Sequence, residues 1–198
     1  TGIQAVGSWA TGLVPDGGNN DGMMMSPNGV ATDPAGGFFY VADSGNARIQ
    51  KFNMSTGAFV GWIGNIATVG GTCTAGIGVY TGGWCAGGTS QSGTSDGMFS
   101  FPTALAVDST NGFLYVADYS ASRVQKFNLS TGAFIGWLGR IATGGGTCVA
   151  GAGNFTGGWC SGGTSQSGTG NGMFNGSSGL AFDSTYLYVS ESNNNRIQ

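Results

Sequence analysis

The sequence predicts an all-β fold, a row of four-stranded antiparallel blades packed face to face. Three observations predict it. The chain repeats itself every 75 residues. Glycine supplies 41 of its 198 residues, aromatics make up 12% and charged residues only 8%, which suits many short strands joined by turns. Within each repeat, short apolar runs alternate with clusters of turn-forming residues.

The repeat is legible by eye. Block one reads GMMMSPNGVATDPAGGFFYVADSGNARIQKFNMSTGAFVGWIG, from Gly22 to Gly64. Block two reads GMFSFPTALAVDSTNGFLYVADYSASRVQKFNLSTGAFIGWLG, from Gly97 to Gly139. Block three opens at Gly172 as GMFNGSSGLAFDSTYLYVSESNNNRIQ and lacks two residues between Asp183 and Tyr188. In block one, GVATD (29–33) is the first strand, and FFYVAD (38–43) follows it through the turn PAGG. The third strand, ARIQKFN (47–53), places Ile49, Lys51 and Asn53 on one face and Arg48, Gln50 and Phe52 on the other. AFVGWIG (58–64) is the outer strand, after the turn MSTG. Connections this short favour an antiparallel meander. One such sheet cannot bury both its faces, so neighbours must stack, and repeats of this length form propellers or solenoids.

The pattern P-x-G-[VL]-A-[VT]-D…[FL]-Y-V-A-D-x-x-N-x-R-[IV]-Q-K-F resembles the NHL repeat, over about 40 residues of each 75. The resemblance implies β-propeller blades. Three blade-equivalents are present, half of a six-bladed propeller or part of a longer array. No single function is implied, since relatives include enzymes, RNA binders and scaffolds. The sequence departs from the pattern at Pro102, which follows Phe101 and not a small residue, at Ser177, which replaces the proline, and at Glu191, which replaces the blade aspartate.

The expected organisation is an outer strand of a split blade with a linker (1–21), a blade (22–64), an insertion (65–96), a second blade (97–139), a second insertion (140–171) and an incomplete blade (172–198). The opening TGIQAVGSWATG resembles the outer strand STGAFVGWIG, and the closing NNNRIQ resembles a third strand. The absence of an initiator Met adds the expectation of a mature form or a segment of something longer.

The insertions carry the cysteines. Cys73 and Cys85 are 12 positions apart, as are Cys148 and Cys160. Zinc sites use closer pairs and often histidine, and the chain has no histidine. A disulfide inside each loop is the favoured reading, and it points to an extracellular or cell-surface location. Tyr80, Trp84, Phe155 and Trp159 lie on these loops as candidate binding aromatics for a glycan or a protein. The alternative is that each tryptophan lids its own cystine and packs on the blade edge.

The charges are nearly all spent on the repeat. Asp43, Arg48, Asp118, Arg123, Glu191 and Arg196 recur at fixed blade positions, as do Lys51 and Lys126, which makes them structural. Asp33, Asp108 and Asp183 follow the first strand of each block, and their equivalence points to turn capping. Strictosidine-synthase-like and lactonase-like propellers use carboxylates near the channel, so these three are the candidates if the chain is such an enzyme. The histidine ligands of the family's α-amidating lyase have no counterpart here. No catalytic, cofactor or metal residue is therefore assigned. PDGGNNDG (15–22) is only mildly calcium-like and misses the EF-hand spacing. Four sequons, at Asn53, Asn128, Asn154 and Asn175, are candidate glycosylation sites. Asn53 and Asn128 also sit where a turn former is wanted.

Six basic residues and a net charge of −3 cannot make a nucleic-acid stripe. No apolar run approaches the roughly 18 residues of a membrane span. The expected function is a secreted, non-enzymatic structural or adhesive protein that self-associates, as a homo-oligomer, a filament or a longer tandem chain. The rival readings are a glycan- or protein-binding module and a propeller lyase or lactonase.

Overall fold

A computed structural model describes residues 18–198. The split-blade strand expected within 1–21, together with Asp16, lies mostly outside these residues. The first sheet is formed by β1 (Pro27–Asp33), β2 (Phe38–Asp43), β3 (Arg48–Asn53), β4 (Phe59–Thr68) and β5 (Thr89–Gln91), in that spatial order. The second repeats it with β6 (Pro102–Asp108), β7 (Phe113–Asp118), β8 (Arg123–Asn128), β9 (Phe134–Thr143) and β10 (Thr164–Gln166). The third holds β11 (Ser177–Phe182), β12 (Leu187–Glu191) and β13 (Arg196–Ile197). All pairings are antiparallel, with Tyr40 opposite Lys51 and Asp43 opposite Arg48 in the first sheet.

The outer strand is longer than its sequence motif. β4 runs past Gly64 to Thr68, and β5 pairs with that extension, Asn65 opposite Gln91 and Ile66 opposite Ser90. The physical reason is alternation. Ile66 is fully buried while Thr68 faces out and shares a hydroxyl hydrogen bond with Thr89 at 2.7 Å. The insertion thus begins and ends as sheet, and adds a fifth strand to the blade.

Blades meet through their innermost strands and their apolar faces. Gly29 lies so close to β6 that a Cβ there would sit 2.5 Å from the Thr103 carbonyl. The Ser44 hydroxyl donates to the Pro102 carbonyl, and Thr103 Oγ1 to the Ser177 carbonyl at 2.8 Å. One core joins Tyr40, Ile49 and Ile63 of the first blade to Phe99, Leu114, Phe127 and Leu129 of the second. A smaller one joins Ala106, Tyr115 and Val124 to Phe174 and Val189.

The repeated charges are buried inside the blades. Asp43 and Arg48 pair at 2.9 Å with both side chains 0% exposed. The bend that turns Arg48 back toward Asp43 uses Ala47 in a left-handed conformation, repeated at Ser122 and Asn195. Arg48 also donates to the carbonyls of Asn19, Asn20 and Met23, and so ties the entry segment to the sheet. In the second blade Arg123 and Asp118 stand 3.8 Å apart, and burial raises the Asp118 pKa against the pull of Arg123. Glu191 keeps the aspartate's role with a longer arm, accepting from Arg196 at 2.7 Å and from the Asn175 N–H at 2.9 Å. In the first two blades the pairs are therefore not the weak exposed kind, and removing one partner there strands a buried charge.

Candidate functional site at the seam between blades

The site begins with the outer strand. Trp62 is fully buried against Ile66, Cys73 and Cys85. Its main chain exchanges hydrogen bonds with Cys85 at 2.8 and 3.1 Å, and its indole donates to the Gly87 carbonyl. Trp137 does the same for Cys148 and Cys160. Both cystines are formed, Cys73 with Cys85 and Cys148 with Cys160. The tryptophan that lids each cystine is therefore the strand residue, not the loop residue Trp84 or Trp159. Sequence reasoning overlooked Trp62 and Trp137 as partners of the cystines, although the GW pair of each outer strand marks them.

Released from that task, Trp84 reaches the next blade. Its main-chain N–H donates to the Thr131 carbonyl at 3.0 Å and its indole N–H to the Leu129 carbonyl at 3.2 Å. The Tyr80 hydroxyl donates to the Gly132 carbonyl. All three acceptors lie in the turn between β8 and β9. Gly132 is required there: its φ is +76° and a Cβ would sit 2.7 Å from the Trp84 nitrogen. Each loop is also held to the entry segment of its own blade, Gly87 N–H to Asp21 and Gly162 N–H to Asp96, both at 2.7 Å.

Beneath the clamp lies a lysine among rings. Lys51 Nζ is 4.0 Å from the Phe38 ring centre and 5.3 Å from that of Trp84. Lys126 repeats this with Phe113 at 3.5 Å and Trp159 at 5.5 Å. Neither ammonium has an ion-pair partner among the described residues. Burial lowers both pKa values, partly opposed by Asp33 and Asp108 respectively. Ring faces replace the carboxylate that a buried lysine would ordinarily require. The sequence placed these lysines on the right face without indicating that partner.

A cleft of about 180 Å³ opens beside Lys51, lined by Asp33, Phe38, Tyr40 and Leu129. Asp33 accepts from the Ser109 hydroxyl at 2.6 Å, across the seam. Asp108 caps its own turn through Asn111, and Asp183 through Thr185, Tyr186 and Tyr188. Those main-chain and phenol donors lower the Asp183 pKa. The three carboxylates are engaged within blade structure and are not gathered into one constellation. Among the described residues no cluster of acidic, cysteine or histidine side chains is arranged to hold a metal.

The second loop meets a different surface. Trp159 stacks on Tyr115, with ring centres 5.6 Å apart. Phe155 has no hydroxyl to donate. The Trp159 main-chain and indole N–H groups have no acceptor among the described residues. Trp159 and Phe155 instead border a groove of about 300 Å³ with Tyr115, Leu138, Phe174 and Leu187.

The sequons divide by environment. Asn53 Oδ1 accepts from the N–H and hydroxyl groups of both Ser55 and Thr56, and Asn128 Oδ1 from Thr131. Asn154 is exposed and donates to the Ala150 carbonyl, while Asn175 accepts from Asn193.

No helix among the described residues is long and apolar enough to cross a membrane. The sequence model of the NHL repeat matches residues 24–52 and 99–127. No curated protein matches the sequence significantly. Among solved structures, the chain is similar to a putative phosphatase from Bacteroides thetaiotaomicron, at 18% identity and a TM-score of 0.50, over 85% of this chain and 33% of that one. It is also similar to hydrazine synthase of Kuenenia stuttgartiensis, at 13% identity and a TM-score of 0.48, over 91% of this chain and 33% of that one. U3-55K is a third, at 13% identity and a TM-score of 0.47, over 91% and 42% of the two chains. The likeness is one of fold, and the chain spans well under half the length of each structure.

Proposed function

We propose that this chain, of which residues 24–52 and 99–127 match the NHL repeat of β-propellers, is an extracellular, non-enzymatic structural protein that self-associates blade to blade. The carrying observation is the clamp of Tyr80 and Trp84 on the turn of the next blade. A loop held by its own cystine and fastened to its neighbour is a joint between repeating units, and the second loop repeats it in sequence. The two cystines favour an oxidising compartment. The engagement of the repeated charges within blades leaves few groups for catalysis. Electron microscopy of the chain purified under oxidising conditions tests the reading. Regular particles or filaments larger than one chain are expected; dispersed single chains at every concentration overturn it.

A second reading is a glycan- or protein-binding module. It draws on the groove that Phe155 and Trp159 border. Retention on a glycan array, abolished by Trp159→Ala, would favour it over the structural role.

A further inference from the structure

The first two blades follow the repeat closely, and one departure from it frees a carboxylate. Asp33 and Asp108 end equivalent strands, 75 positions apart, and both are buried. In the second blade Asn111 stands in the turn after Asp108 and engages both of its oxygens, through the main-chain N–H at 3.0 Å and the side-chain amide at 2.8 Å. In the first blade the same turn position is Gly36, which has no side chain to offer. Asp33 Oδ1 accepts from the Ser109 hydroxyl, while Oδ2 has no hydrogen-bond donor among the described residues. Oδ2 lies against Gly36, where an added Cβ would collide with it.

Asp33 and Gly36 line the cleft of about 180 Å³ that Leu129 of the second blade bounds across the seam. Two more buried groups line it with unmet hydrogen-bonding capacity. The Tyr40 side chain is 0% exposed and its hydroxyl has no hydrogen-bond partner. The Lys51 ammonium rests on the Phe38 ring but hydrogen-bonds to no described residue. The charge of Asp33 reaches both groups. It adds to the burial that raises the Tyr40 pKa, and it opposes the burial that lowers that of Lys51. Yet Lys51 and Asp33 are not joined in an ion pair. A buried cation and a buried anion held apart across one cleft call for a ligand that carries the opposite pair of charges. The rings already have partners, Phe38 in Lys51 and Tyr40 in Trp84, so stacking on a sugar is not what the cleft lacks.

We propose that this cleft binds the zwitterion of a small α-amino acid. The ligand's carboxylate accepts from Lys51 Nζ and from the Tyr40 hydroxyl, and its ammonium donates to Asp33 Oδ2. Its side chain turns to Leu129, and the volume suits a short one. The second blade lacks the free carboxylate oxygen, because Asn111 occupies both oxygens of Asp108. The inference goes beyond the structural role and does not depend on assembly.

The test is calorimetric titration of the full oxidised chain with L-alanine, L-serine and L-valine. Saturable one-to-one binding of at least one of them is expected. N-acetyl-L-alanine, which lacks the ammonium, and L-alaninamide, which lacks the carboxylate, should bind roughly tenfold or more weakly. Gly36→Asn restores the cap found in the second blade and should weaken binding by a similar factor without lowering the melting temperature. Tyr40→Phe deletes a hydroxyl that has no protein partner, so it should fold like the parent and bind about fivefold more weakly. Absence of binding by all three amino acids, equal binding of either blocked form, or undiminished binding by Gly36→Asn or Tyr40→Phe overturns the proposal. So does saturable binding of methyl α-glucoside in place of the amino acids. If Gly36→Asn fails to fold, Tyr40→Phe decides.

Discussion

Trp84 donates its indole N–H to the carbonyl of Leu129 at 3.2 Å, joining residues 45 positions apart and two different blades. Its repeat-mate Trp159 makes no such bond among the described residues and borders an open groove.

The two tryptophans should therefore respond differently to removal. Trp84→Ala loses packing against Tyr40 and the indole hydrogen bond to Leu129, and is expected to cost about 3 kcal/mol. Trp159→Ala loses the Tyr115 stack and no indole hydrogen bond, and should cost roughly half that. Paired denaturant titrations check the order; equal losses would mean that the clamp adds nothing.

The cystines should stabilise each loop by restricting the unfolded chain that they close. Cys73 and Cys85 are separated by 12 residues, so the double serine variant should lose about 3 kcal/mol in the chain-entropy account. The loss should be larger than that of the Trp84 indole hydrogen bond alone, because the variant also frees the wall against which Trp62 packs. Thermal melts with and without reductant read the effect.

The buried ion pair should be sensitive to losing one member. Asp43→Ala leaves Arg48 fully buried without its carboxylate and should cost about 3–5 kcal/mol. Asp183→Ala, at an exposed turn, should cost far less. Comparable losses at the two positions would remove the distinction drawn between them.

Alkaline pH should weaken the fold through its phenols. Burial raises the pKa of Tyr40 and of Tyr80 above the ordinary range. The folded state then holds these protons where the unfolded chain has released them. Stability is therefore complete below pH about 10 and falls as pH rises above it. Phenolate absorbance should show a late component that coincides with loss of the near-ultraviolet dichroism. Its appearance in a still folded protein would contradict the burial assigned to these groups.

Much of this architecture was legible because it repeats. The strand runs FFYVAD and RIQKFN and the turns PAGG and MSTG sit in the structure near where their side-chain patterns put them. The cystines followed from cysteine spacing and the lack of histidine. What was not legible depended on contacts between units. Nothing local to Trp84 says that it faces Leu129 and not its own cystine, since that choice is made by Trp62 occupying the cystine first. The pairing of β5 with β4 was hidden by the long glycine-rich span between them, whose ends are brought together by the disulfide. Lys51 lacked any carboxylate in the sequence frame because its partners are ring faces on β2 and on the loop.

The central claim is that the stapled loops are joints between blades, as the Tyr80 and Trp84 contacts of the first loop exemplify. Sedimentation velocity of the oxidised wild-type chain and of Trp159→Ala, over a wide range of concentration, tests it most directly. The account predicts concentration-dependent growth of larger species for the wild type and a single-chain species for the variant. A wild type that sediments as one chain at every concentration, or a variant that assembles as readily, contradicts it.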